Sequence, residues 1–141
     1  MHSEPVQPLP RWYFIFASIN GFMAVGLAAL GAHAAAPDGR PIIDSAVLFQ
    51  LTHAVCLVAL FFLYPSAPRH LWPTLRLGAT GFAGGLLLFC LPLYWLGFNG
   101  PGSLGPLAKI PPVGATGFLI GWAALSWAGL RYATQPGQRR L

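Results

Sequence analysis

Polar residues in this chain do not alternate with apolar ones at the period of a strand or of a water-facing helix. They gather in short stretches between four long apolar runs. From Trp12 to Pro37 the only side chain that readily carries charge near neutral pH is His33. About 20 apolar residues in helical form cross a bilayer, so residues 12–35 are predicted as a first transmembrane helix. Trp12 and Tyr13 stand where an interfacial aromatic belt belongs. Small residues flanking His33 resemble a leader cleavage site, but the apolar run exceeds the ~7–15 residues of a signal core and is read as a retained span.

The breaker-rich PDGRP at 37–41 is a loop, after which 42–48 can begin helically at the membrane surface. A second span is predicted over 46–64, closed by Pro65 and Pro68. A third follows over 74–98, with Pro92 expected to kink it near its end. NGPGS at 99–103 is turn-forming, and the loop extends to Lys109. Pro111 and Pro112 open a fourth span over 111–132, where a missing N–H costs least. Residues 1–11 and 134–141 read as short polar tails. The expected fold is therefore all-α: one transmembrane domain over 1–141, an integral membrane four-helix bundle.

Composition strengthens this reading. Charged residues are 8% of the chain against about 25% for a soluble domain, too few to coat a surface in water. The net charge of +5 comes from basic residues scattered at segment ends. They form no single basic face, so no nucleic-acid partner is expected. Cys56 and Cys90 both fall inside apolar runs and read as small core residues.

Charge does set an expected orientation. Arg11, Arg69, Arg76, Arg131, Arg139 and Arg140 fall on one side, and Arg40 and Lys109 on the other with Asp38 and Asp44. The positive-inside rule then places both termini in the cytoplasm, for a multi-pass protein of the bacterial inner membrane.

Helices in lipid associate through small residues and interhelical hydrogen bonds. Gly26 on the first helix, Gly81 and Gly85 on the third, and Gly114, Gly117 and Gly121 on the fourth are the expected packing positions. They serve contacts within the bundle or contacts between copies in a homo-oligomer.

Ionisable groups within a membrane are costly and often functional, so His33 and His53 are the first candidates for chemistry. Two imidazoles could ligate haem or a metal. The expected difference in their depth, about 10 Å at 1.5 Å per residue, opposes a shared ligand. A second reading gathers His33, Gln50, His53, Tyr94 and Lys109 in an outward-facing pocket for a quinone, a lipid headgroup or a proton. Gln50 and His53, three apart, share a helix face. The plainer reading is that these groups bond to one another and to loop carbonyls and lock the helix ends. Asn20, at mid-depth, is expected to make an interhelical hydrogen bond. The acidic residues are assigned to tail and loop, no nucleophile or phosphate-binding glycine loop is evident, and no enzyme activity or cofactor is predicted.

LAALGAH at 27–33 resembles the G-A-F-G-A-H signature of the domain-of-unknown-function family 423, small bacterial inner-membrane proteins related to a eukaryotic small transmembrane family. QLTH at 50–53 is similar to its Y-Q-x-x-H element, with Phe49 in place of tyrosine. LGP at 104–106, PVG at 112–114, Phe118, Gly121 and Trp122 are similar to its closing pattern. The likeness covers residues 16–127. FCLPLY at 89–94 departs from the family's F-S-G-S-L-Y, and Pro111 replaces a threonine. The resemblance implies a four-helix inner-membrane protein, marks Gly31, His33 and His53 as signature positions, and implies no activity.

Three function classes follow. The leading one is a non-enzymatic accessory or structural subunit of a larger membrane assembly. The others are a stand-alone ligand or cofactor protein using the His/Tyr cluster, and a small transporter or channel.

Overall fold

In lipid, backbone N–H and C=O groups must be satisfied within the chain, and helices do this segment by segment. The computed structural model describes residues 9–133. It contains α1 (Arg11–Ala34), α2 (Arg40–Leu63), α3 (Trp72–Gly85), α4 (Leu91–Asn99) and α5 (Ile110–Ala133). A π-turn over Leu86–Cys90 joins α3 to α4 in one rod. The five helices thus make four segments long and apolar enough to cross a membrane. No strand occurs among the described residues. The predicted tails at 1–8 and 134–141 lie outside the described residues. Leu9, placed in a tail by its sequence, is buried in the core.

The largest boundary difference is at α2, which starts at Arg40, whereas a helical start at the surface was expected from 42 and the span itself from 46. Pro41 sits in the first turn, where no intrahelical N–H is needed. Arg40 Nε donates to Asp44 Oδ1 at 2.8 Å, an i,i+4 ion pair. Asp44 therefore belongs to a helix, which corrects its assignment to a loop. The preceding turn is tight. Gly39 N donates to Ala36 O at 2.8 Å, and Asp38 takes a left-handed φ of 60°, which aspartate tolerates better than most residues. Ala36 N donates to Gly97 O at 3.0 Å, tying this turn to α4.

Pro92 brings the irregularity expected of the third span, in the form of the wide turn over Leu86–Cys90 just before it. A proline ring collides with the carbonyl four residues back, here Leu88, and a π-turn relieves that crowding.

Neighbouring segments run antiparallel. Phe14 of α1 meets Phe61 and Phe62 of α2 at one end, with centroids 5.3 and 5.6 Å apart. At the other end Gly31 lies against Ile43. Ile43 is fully buried between Gly31 and Gly97, and a Cβ on either glycine would strike it. α3 and α5 pack through glycine on both sides. A Cβ on Gly81 would come 2.6 Å from Gly117 O, and one on Gly117 would come 2.9 Å from Gly81 O. Added side chains at Gly85, Gly114 and Gly121 would strike Phe118, the Leu88 and Phe89 backbone, and Phe82. Gly26 differs: among the described residues nothing lies within 4 Å of its would-be Cβ, so a side chain there would meet open space.

The outer surface is apolar. Phe22 is 81% exposed and Leu119 70%, as befits helices whose solvent is hydrocarbon. At the end bearing the start of α1 and the end of α5, Arg69 lies over Trp72, Arg76 over Tyr64 and Arg131 over Trp127, at 5.7, 5.8 and 5.2 Å. Guanidinium groups held over aromatic faces make cation–π contacts, and arginine with tryptophan and tyrosine is usual at a membrane interface.

Candidate functional site

The polar side chains of the bundle form two separate systems. The first spans three helices. Tyr94 of α4 donates its hydroxyl to Gln50 Oε1 at 2.6 Å. Gln50 Nε2 donates to Asn20 Oδ1 of α1 at 2.9 Å, and Asn20 Nδ2 donates to Phe16 O at 2.9 Å. All three residues are buried. The chain of donors runs one way, from the tyrosine through both amides to a backbone carbonyl. Each amide is therefore fixed in orientation by its neighbours.

The second system is centred on His53. Its Nδ1 lies 2.7 Å from Phe49 O, and Trp122 Nε1 donates to its Nε2 at 3.1 Å. A carbonyl only accepts and an indole N–H only donates. The ring is therefore the neutral tautomer protonated on Nδ1. It stacks on Phe118 at 3.7 Å between centroids, with Phe82 at 5.2 Å. His53 joins α2 to α5 and is enclosed by rings.

The structure thus divides the five residues grouped by sequence. Gln50 and Tyr94 are bonded to each other. His53 sits on the same helix as Gln50 but is turned toward α5, because positions three apart differ by about 60° around the axis. His33 is exposed at the end of α1, away from the hydrogen bonds of Gln50, Tyr94 and His53. Lys109 is exposed at the close of the 3-10 turn Gly105–Lys109. Sequence reasoning had placed Asn20 apart from this group and had given Phe118 and Trp122 no part in it. Spacing on one helix can show which residues share a face, but it does not show which helix that face meets.

Two hollows of about 430 Å³ each lie elsewhere. One runs between the ends of α2, α3 and α5, lined by Cys56, Leu60, Leu75, Leu125, Ala128 and Tyr132 among others. The second lies beside Pro92 and Trp95 and under the loop at Leu104 and Leu107. Both are mainly apolar, and neither is lined by Gln50, His53 or Tyr94. Among the described residues no three His, Cys, Asp or Glu side chains are grouped to hold a metal ion.

Because His33 makes no contact with His53, their removal is expected to be additive. In a double-mutant cycle read by thermal unfolding in detergent, His33→Ala and His53→Ala should sum within ~0.5 kcal/mol. His53→Ala should account for nearly all of the loss, about 2–4 kcal/mol for emptying a ring-lined site. A coupling well above 0.5 kcal/mol would mean that the two histidines interact.

Comparison with known proteins agrees with this architecture. The family described as "Protein of unknown function (DUF423)" matches residues 27–115. A UPF0382 membrane protein of Haemophilus influenzae is 29% identical over 123 residues, covering 84% of this chain and 94% of the relative. The UPF0382 inner membrane protein YgdD of Escherichia coli is 29% identical over 125 residues, 86% of this chain and 91% of the relative. The UPF0382 membrane protein YwdK of Bacillus subtilis is 31% identical over 124 residues, 85% of this chain and 97% of the relative. No solved structure matches. With four apolar crossings, matched glycine faces and relatives aligned over nearly their whole length, this chain is a multi-pass inner-membrane protein and belongs to the DUF423 family.

Proposed function

We propose that the protein is a non-enzymatic accessory or structural subunit of a larger membrane assembly. One observation carries this reading: the hydrogen bonds of Asn20, Gln50, Tyr94 and His53 join helix to helix, and none of these four residues lines either hollow. Such groups fix how helices pack. A bundle held internally in this way leaves an apolar outer face that can meet a partner's helices as readily as lipid. By the charge bias between its two ends, both termini lie in the cytoplasm. A ligand or cofactor held jointly by His33, His53 and Tyr94 would need those side chains to converge, and they point to different neighbours. A transport path would need polar groups lining a continuous opening, and the hollows beside Cys56 and beside Pro92 are mainly apolar.

The test is the native mass of the tagged protein extracted in a gentle detergent from its own membrane, with every co-purifying component identified. A defined complex of constant stoichiometry is the expected result. A lone monomer, or an oligomer of this chain only, would overturn the proposal.

A further inference from the structure

The hollow at the basic end of the bundle has the dimensions of a lipid chain. α2 and α5 form its walls and do not close on each other there, and Leu71 and Leu75 form its floor. Its walls carry small residues, Ala59, Ala128 and Gly129, so the space is open where larger side chains would fill it. From Cys56 at its deep end to Ser66 at its mouth it runs about 15 Å along the helix. That is about half of a ~30 Å hydrocarbon core, the depth of one leaflet. Its volume of about 430 Å³ falls in the small-ligand range.

The mouth is polar and its surroundings are cationic. The hydroxyls of Ser66 and Tyr132 belong to residues lining the groove at the interface level. Arg11, Arg69, Arg76 and Arg131 all lie at this end of the bundle. Among the described residues, the acidic ones, Asp38 and Asp44, are both at the opposite end. An apolar slot between helices that opens at the arginine-bearing end of the bundle is complementary to an anionic headgroup on an acyl chain.

We infer that this groove is a binding site for an anionic phospholipid, with one acyl chain lying between α2 and α5 and its phosphate held at the arginine-bearing end. The site stands apart from the polar systems of Gln50 and His53, and it requires no protein partner, so it stands or falls independently of the accessory role.

The test uses the full chain reconstituted in vesicles of equimolar phosphatidylglycerol and phosphatidylcholine, re-extracted in mild detergent, with retained lipid read by native mass spectrometry. The expected result is one phosphatidylglycerol per chain, favoured over phosphatidylcholine by roughly tenfold, as a few arginines at a lipid interface would give. Gly129→Phe should fill the groove without a backbone clash, because nothing lies within 4 Å of a Cβ there. It should abolish retention without lowering the temperature of thermal unfolding in detergent. Arg69→Gln with Arg131→Gln should keep a bound lipid but bring the two headgroups toward parity.

Cys56 provides a reading that needs no variant. Its thiol is free and lines the groove, so adding phosphatidylglycerol to the delipidated protein should slow its maleimide labelling several-fold, whereas phosphatidylcholine should not. Equal retention of the two lipids, undiminished retention by a folded Gly129→Phe, or labelling of Cys56 indifferent to phosphatidylglycerol would each overturn the inference.

Discussion

Gly114→Ala is expected to destabilise the protein by about 3 kcal/mol or more, at or beyond the upper end for overpacking a close-packed interior. A Cβ at this position would meet the Leu88 and Phe89 backbone. Those residues belong to the wide turn over Leu86–Cys90, so the glycine receives the swollen part of the opposing helix. A backbone cannot rotate aside as a ring can, and α5 would have to move away from the α3–α4 rod along its length. Gly81→Ala should act in the same direction, since its Cβ would come 2.6 Å from Gly117 O and 3.0 Å from Gly121 N. The sign is diagnostic. In a helix interior alanine is favoured over glycine by ~1 kcal/mol, and that is the effect expected for Gly26→Ala and Gly84→Ala, where nothing lies within 4 Å. Thermal unfolding of the four variants in one detergent should separate them into two destabilised and two neutral or stabilised. Four similar shifts would show that the glycines act through backbone flexibility and not through close approach.

The contrast between Gly26 and Gly114 also marks what could be read from the sequence. Both stand in apolar helices among other small residues. A small residue every four positions says that a backbone could be approached, and the approaching element is settled only by assembly. The crossings themselves were legible, because about 20 residues without charge in lipid leave the backbone no other arrangement. The ends next to prolines were legible too, since a missing N–H is tolerated in a first turn and poorly elsewhere. The start of α2 was legible from 42 onward and not before it. Arg40 and Pro41 read locally as loop residues, and it takes the Arg40–Asp44 pair and the contacts of the turn at Gly97 to make them helical.

The signature positions acquire reasons at the same level. Gly31 is small because Ile43 fills the space beside it, and Gly97 receives the same side chain from the other side. Ile43 therefore links the ends of three helices, and the GAH motif marks the point where α1 must yield room to it. Phe118, Gly121 and Trp122, read as closing elements of a pattern, turn out to hold His53: one ring stacks on it, one indole donates to it, and the glycine between them admits Phe82. Depth along the helices placed these groups near one another, but depth carries no information about azimuth. The single polar cluster expected from the sequence accordingly resolves into a Gln50–Tyr94 pair that extends to Asn20, an aromatic-clamped histidine, and two exposed residues, His33 and Lys109.

Gln50→Leu is expected to cost about 2 kcal/mol by the same thermal measurement, because it removes the middle of the triad. The replacement leaves the Tyr94 hydroxyl without its acceptor and Asn20 Oδ1 without its donor, both buried. An orphaned buried polar group costs roughly 1–3 kcal/mol in water-soluble proteins. Interhelical hydrogen bonds within membranes average nearer ~0.6 and reach ~1.7, so two such losses sum to about 2. The coupling distinguishes this from simple loss of packing volume. Tyr94→Phe alone should cost about 1 kcal/mol, since it deprives Gln50 Oε1 of a partner. In the Gln50→Leu background the same change should be neutral or restorative, because the hydroxyl it removes is already unpaired. A double-mutant cycle should therefore show about 1 kcal/mol of coupling between α2 and α4. Coupling indistinguishable from zero would mean that the 2.6 Å contact between Tyr94 and Gln50 contributes no stability, and that these helices are held by the glycine and aliphatic contacts around Ile43 instead.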